Sequence, residues 1–211
     1  MKRFILVIIL FHFLSCSSQN DAIQSSEITP DFYYGADLSY VNQMEDCGAI
    51  YKDENNLIKN PYKIFKEAGT NLIRLRLWHN PKWTNYSNYE DVKKAIKRAK
   101  EENMNVLLDF HYSDTWTDPS QQKIPAAWEN QINNKEILGE LLYNYTFETL
   151  NNLAKENFLP EIVQVGNEIN PMILQSDELV WPIDWDRNSY LINKGIKAVR
   201  DISIEQNKKI E

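Results

Sequence analysis

Glycine is scarce in this chain, 6 in 211 residues, which excludes collagen-like and glycine-rich repeat architectures. Cysteine occurs only as Cys16 and Cys47, so at most one disulfide could form and a disulfide-stapled scaffold is excluded. The expectation for Cys47 is a small packed residue rather than a nucleophile. Positive charge is in deficit: 23 Lys+Arg against 30 Asp+Glu give a formal net charge of −7, which argues against a nucleic-acid partner. No His/Cys set with zinc-ligand spacing occurs, and neither does a G-x-S-x-G nucleophile elbow or a glycine-rich phosphate loop after the first strand. The composition that remains, 43% hydrophobic and 25% charged, is that of a folded globular protein. Aromatic residues are plentiful at 12%, which suits a large core or a surface that stacks on flat ligands.

Lys2 and Arg3 precede an apolar run over residues 4–14. That run is too short to span a bilayer, which takes about 20 residues, and it has the form of a secretory signal. Its end, Leu14-Ser15-Cys16-Ser17-Ser18, resembles the lipobox of bacterial lipoproteins, with Phe13 where a small aliphatic residue is usual. Residues 1–15 are therefore expected to be a lipoprotein signal peptide with Cys16 lipidated; plain secretion or a buried N-terminal helix are the alternatives. The expected location is the outer membrane or cell surface, reached by export across the inner membrane. Residues 16–31 are polar and without apolar period, as a tether would be.

From residue 32 onward the chain reads as one domain. Strands are expected at 33–41, 72–78, 106–112 and 162–165, the second from the alternation in Leu72-Ile73-Arg74-Leu75-Arg76-Leu77-Trp78. Helices are expected at 61–68, 89–102, 134–157 and 188–206. Asn60 and Pro61 supply a start signal for the first. Inward positions of the long third helix are Ile137, Leu138, Leu141, Leu142, Tyr145, Leu150 and Leu153; those of the last are Leu191, Ile192, Ile196 and Val199. Strict β-α alternation implies parallel strands with crossover helices, either as a doubly wound sheet or as a (β/α)₈ barrel. Polar residues decide between them. Arg74 and Arg76 share one strand face, and Asp109 and His111 share another, whereas a doubly wound sheet meets helices on both faces and is apolar on both. A barrel has a polar face at the upper end of its interior. The fold class expected is thus a partial (β/α)₈ TIM barrel, roughly its first four β-α units, because a whole barrel takes about 250 residues.

Each strand ends in a polar cluster. The first gives Asp37 and Ser39, the second Arg74, Arg76, Trp78 and His79, the third Asp109, His111, Tyr112, Asp114 and Trp116, the fourth Asn167 and Glu168. Such convergence is the layout of a barrel active site. A carboxylic acid at a strand end, beside an amide able to hold a sugar hydroxyl, suits general acid catalysis at a glycosidic oxygen, provided burial or a nearby like charge keeps it protonated. Two arginines on one face of a buried strand need anions, and Asp109 on the next strand is the natural partner of Arg76 or Arg74. Trp78, Trp83, Trp116 and Trp128 lie in or near the loops after the second and third strands, where indole faces can stack on sugar rings.

The stretches Tyr34-Gly35-Ala36-Asp37-Leu38-Ser39, Ile73 to Trp78, Leu108-Asp109-Phe110-His111-Tyr112-Ser113-Asp114-Thr115-Trp116-Thr117-Asp118-Pro119, Pro125-Ala126-Ala127-Trp128 and Val165-Gly166-Asn167-Glu168 resemble glycoside hydrolase family 53, the arabinogalactan endo-β-1,4-galactanases. The resemblance implies a (β/α)₈ barrel, a retaining double displacement and β-1,4-galactan or arabinogalactan as the partner. Glu168 matches the acid/base and Asn167 the neighbour that holds a sugar hydroxyl. Arg76, Asp109 and His111 match the polar lining around that sugar, and Trp116 a cleft wall; Asp37 and Trp78 complete the candidate site. No cofactor is implied. The family's nucleophile lies on the seventh strand and its calcium site, where present, in the same later half. No Glu in these residues is assigned as nucleophile, no metal is expected, and no turnover is expected from these residues alone. The competing expectations are a related barrel hydrolase acting on mannan or cellulose, and a non-catalytic glycan-binding lipoprotein.

Overall fold

The structure, a computed structural model, describes residues 32–176 and 181–211. The signal segment, the tether and Cys16 lie outside the described residues. In chain order the elements are β1 (Gly35–Asp37), α1 (Val41–Asp46), α2 (Pro61–Glu67), β2 (Leu72–Leu77), α3 (Tyr89–Glu101), β3 (Asn105–Phe110), a 3₁₀ turn (Ala126–Gln131), α4 (Lys135–Lys155), β4 (Ile162–Val165) and α5 (Trp185–Glu205). Helix starts follow side-chain chemistry: Asn60, Asn88, Asn134 and Asp184 each accept a backbone N–H of the first turn. The Asp184 cap starts α5 earlier than the expected residue 188. The first strand is shorter than expected: only Gly35–Asp37 pairs, and the chain then turns into α1.

All four strands are parallel and lie side by side in sequence order, β1-β2-β3-β4. A doubly wound sheet reverses its strand order at a switch point; an unreversed order is that of a barrel wall. The backbone of Glu211 already sits on the far edge of β4, its N–H donating to Glu161 O and its C=O accepting from Val163 N, both at 2.9 Å.

Register explains the division of faces. Ile73, Leu75 and Leu77 of β2 and Val106, Leu108 and Phe110 of β3 are buried in the core with Val92, Ala95, Ile96 and Ala99 of α3. The opposite face carries Arg76, Asp109 and Gln164 in a single row across β2, β3 and β4. Three expected core positions are corrected. Ile137 and Ile196 are exposed, because α4 and α5 pack on each other and on the sheet through neighbouring stripes. Cys47, just past α1, is exposed rather than packed.

Helices α4 and α5 approach closely through glycine. A Cβ on Gly195 would stand 2.5 Å from Val165 Cγ1 and 3.1 Å from Leu142 Cδ2, so α5 lies against β4 and α4 with no space for a side chain. At the opposite end of the strands, Glu161 binds Lys100, Lys208 at 2.9 Å and the N–H of Val106 at 2.8 Å. Burial works to raise the Glu161 carboxyl, but the charge of Lys100 and the hydrogen bonds outweigh it and hold it below its ordinary value.

Two outcomes follow. Gly195→Val should destabilise the fold by about 1–3 kcal/mol, read as a lower urea midpoint. A depressed carboxyl stabilises above its unfolded pKa and loses that contribution as pH falls through its folded value. Glu161→Gln should therefore weaken the fold at neutral pH and flatten the acid limb of its stability curve; an unchanged acid limb would refute the role given to Glu161.

Candidate active site

Arg74 of β2 is the centre of the polar face. Its Nη1 donates to Asp37 Oδ2 at 2.6 Å, its Nη2 to Asp109 Oδ2 at 2.5 Å and Asn167 Oδ1 at 2.9 Å, and its Nε to Gln164 Oε1 at 3.3 Å. One planar guanidinium thus meets side chains from or just beyond β1, β3 and β4. Of the two arginines weighed as partners of Asp109, Arg74 makes the pair, although Arg76 is level with Asp109 in register. Asp37 is held from behind as well. Burial would raise its carboxyl, but the hydrogen bonds from Ser39 and the charge of Arg74 prevail and keep it below the usual range.

From Asp109 the contacts return to Arg74 in a closed circuit. His111 Nε2 stands 3.1 Å from Asp109 Oδ2, and its Nδ1 meets the Thr117 hydroxyl at 2.9 Å. The Thr117 carbonyl accepts from Asn167 Nδ2 at 2.8 Å, and Asn167 Oδ1 accepts from Arg74. Asp109 and His111 have fully buried side chains. The 3.1 Å contact is out of line for a hydrogen bond, so His111 Nε2 has none among the described residues, and neither has Asp109 Oδ1. Buried polar atoms left open in an otherwise saturated network are the atoms a ligand or water can claim.

Glu168 follows Asn167 directly. Its φ is +51°, in the left-handed region that non-glycine residues rarely enter, and Tyr112 at the top of β3 has φ +50°. The Glu168 turn is fastened by Gln122, whose Nε2 donates to the carbonyls of Asn167 at 2.7 Å and Glu168 at 3.4 Å. The Glu168 side chain is exposed and takes no protein partner among the described residues. Of the two means weighed for keeping it protonated, burial or a nearby like charge, burial is not supplied by the described residues.

Arg76 belongs to a second, aromatic cluster. It is 4% exposed, donates to Ser87 Oγ at 3.0 and 3.3 Å, and lies over the rings of Tyr40, Trp78 and Trp116 at 4.5, 4.4 and 5.2 Å. No carboxylate among the described residues pairs with it. Trp116 also flanks His111, ring centroids 5.4 Å apart, and so joins the two clusters. Of the four tryptophans expected to offer faces to a ligand, Trp78 and Trp128 are buried and act as walls behind Arg76 and His79. Trp83 and Trp116 keep exposed surface.

The structure therefore gathers Asp37, Asp109, His111 and Asn167 around Arg74, sets Arg76, Trp78 and Trp116 beside them, and leaves Glu168 at the edge. Gln164, Thr117, Gln122 and Ser87 complete the arrangement and were not singled out from sequence. Gln164 had a signal, a polar residue within Ile162-Val163-Gln164-Val165; the loop residues had none.

The family model described as glycosyl hydrolase family 53 matches residues 33–211. The chain belongs to this family. Among its relatives, the arabinogalactan endo-β-1,4-galactanase of Cellvibrio japonicus is 53% identical over 85% of this chain and 48% of its own length. The endo-β-1,4-galactanase of Bacillus subtilis is 38% identical over 81% of this chain and 40% of its own. The family 53 catalytic domain of Ignisphaera aggregans superposes with a TM-score of 0.75 at 35% identity, covering 84% of this chain and 51% of that one. The chain spans about half the length of the curated relatives it matches. Its parallel sheet is accordingly a partial set of the strands of a family 53 TIM barrel.

In this family 53 wall Asp109 is wholly buried and relies on Arg74 for charge. Arg74→Met should cost about 3–5 kcal/mol by leaving Asp109 unpaired, and Arg74→Lys should recover only part of that, since an ammonium cannot reproduce the planar fork. Urea denaturation of the single variants and of Arg74→Met with Asp109→Asn checks this: the double variant should be more stable than Arg74→Met alone.

Proposed function

We propose that this chain supplies the acid/base half of an endo-acting, retaining glycoside hydrolase that cleaves β-1,4-galactosidic bonds in galactan or arabinogalactan. The observation that carries the proposal is Asn167-Glu168 at the end of β4. Asn167 is locked between Arg74 and Thr117, while Glu168 next to it is exposed and takes no partner among the described residues. The galactanase names of the relatives support the substrate class.

In the proposed reaction Glu168 gives its proton to the glycosidic oxygen as the bond to the anomeric carbon breaks. A carboxylate about 5–5.5 Å away attacks that carbon from the opposite face and forms a glycosyl-enzyme. Glu168, now ionised, takes a proton from water, which displaces the enzyme carboxylate and regenerates the starting state. The nucleophile is not assigned to any residue up to Glu211, and these residues alone are proposed to turn over no substrate. Arg76, a buried cation with no carboxylate beside it among the described residues, offers the charge that an incoming anionic nucleophile needs. Under this reading His111, through its open Nε2, and Asn167 line the sugar being cleaved, and Asp37 and Asp109 fix Arg74 beneath them. Trp116 borders the ring, and Trp78, buried behind Arg76, backs it. By the same proposal, residues 1–15 direct export and Cys16 carries a lipid that anchors the protein to the outer membrane or cell surface, supported by Lys2, Arg3, the apolar run and the Leu14-Ser15-Cys16 sequence.

The test is Glu168→Gln in the protein that carries this chain within a whole barrel. Reducing-sugar release from galactan should fall about 10²–10⁴-fold while galactan affinity is kept, and the first product of the unmodified enzyme should have the β configuration by NMR. Near-normal hydrolysis by the variant would remove Glu168 from its role.

A further inference from the structure

We propose that a second sugar subsite, built on Trp83, lies beside the cleft and takes another galactopyranosyl unit of the same polysaccharide. This rests on the galactanase proposal and extends it to how the polymer is held.

Trp83 is 64% exposed, yet it is fixed in place. Its indole Nε1 donates to the carbonyl of Asp114 at 3.1 Å, and its ring packs on Trp78 with centroids 5.0 Å apart at 46°. An indole whose polar atom and one side are both engaged, while much of its surface stays open, is a preorganised platform that loses little freedom on binding. It forms one side of a hollow of about 530 Å³ whose other walls include Lys82, Asp114, Thr115 and Glu129. That volume is in the range of small-ligand sites.

The hollow has rigid walls. Asp114 Oδ1 accepts from Asn80 N and Oδ2 from Ala126 N, each at 2.9 Å, so its carboxylate is spent on joining the loop after β2 to the loop after β3. The latter loop is tied onward: Ile124 N donates to Gln175 O at 2.8 Å, and Gln175 N to Gln122 O at 2.7 Å. Gln122 is the residue that fastens the Glu168 turn. Thr115 in the wall precedes Trp116, which flanks His111. The hollow and the site around Arg74 are thus two sides of one loop.

An exposed aromatic face with a hydrogen-bond donor, Lys82, and an acceptor, Glu129, at the same hollow matches a pyranose: an apolar C–H face and a rim of hydroxyls. A sugar of the galactan backbone and a sugar branching from it share this chemistry. The backbone is assigned, because Thr115 in the wall of the hollow adjoins Trp116, which flanks His111 of the proposed cleavage site.

The test uses the Glu168→Gln protein carrying this chain, so that ligand survives. Linear β-1,4-galactan should protect Trp83 from N-bromosuccinimide oxidation, read by peptide mapping, and galactobiose should protect it far less. Trp83→Ala should weaken affinity for linear galactan about tenfold, at least fivefold more than for galactobiose, and Trp83→Phe should restore most of the loss. Galactan that binds without protecting Trp83, or equal losses on both ligands, overturns this subsite and leaves the galactanase proposal standing. Protection by arabinose-substituted galactan but not by the linear polymer overturns the backbone assignment in favour of a branch. No galactan binding by the Glu168→Gln protein, with no hydrolysis by the unmodified one, removes both proposals.

Discussion

The upper end of the sheet depends on the charge of Arg74. Asp109 is wholly buried, and a carboxylate in that position is tolerable only with a cation and hydrogen bonds around it. The guanidinium answers that need and uses its remaining donors on Asp37, Gln164 and Asn167. Parallel strands otherwise communicate only through backbone ladders at their own edges. Here one side chain reaches from β2 to partners on every other strand of the wall, so the positions of Asn167 and of the Glu168 turn are set by a charge that is itself set by a buried anion.

Much of the fold was legible because alternation and capping are local. The period-two pattern of Leu72–Leu77 gave its strand and both of its faces, and Asn60-Pro61 gave the start of α2. What failed to show had no local signature. Helix α1 has six residues, no side-chain cap and no acidic first turn. Ile137 and Ile196 fit the apolar period of their helices yet lie off the stripe that meets the sheet, which only tertiary packing decides.

The site was legible by face but not by pairing. Sequence placed Arg74 and Arg76 together and Asp109 opposite them, and register puts Arg76 level with Asp109. The long arginine side chain lets Arg74 reach diagonally, while Arg76 turns to Ser87 and the rings of Tyr40, Trp78 and Trp116. Tryptophans near a cleft look alike in sequence; burial separates Trp78 and Trp128, which serve as walls, from Trp83 and Trp116. Thr117 and Gln122 work mainly through backbone carbonyls, their own or those they bind, and such roles leave no mark on residue type.

Asp114 carries a lesson for protein engineering. Its carboxylate binds the backbone after β2 through one oxygen and the segment leading into the 3₁₀ turn through the other, while its own carbonyl holds the Trp83 indole. These connections make the two loops a single module. Grafting the loop after β3 alone would strand the Asn80 and Trp83 donors, and grafting the loop after β2 alone would take both from Asp114, so swapping specificity between homologues here means transplanting both together.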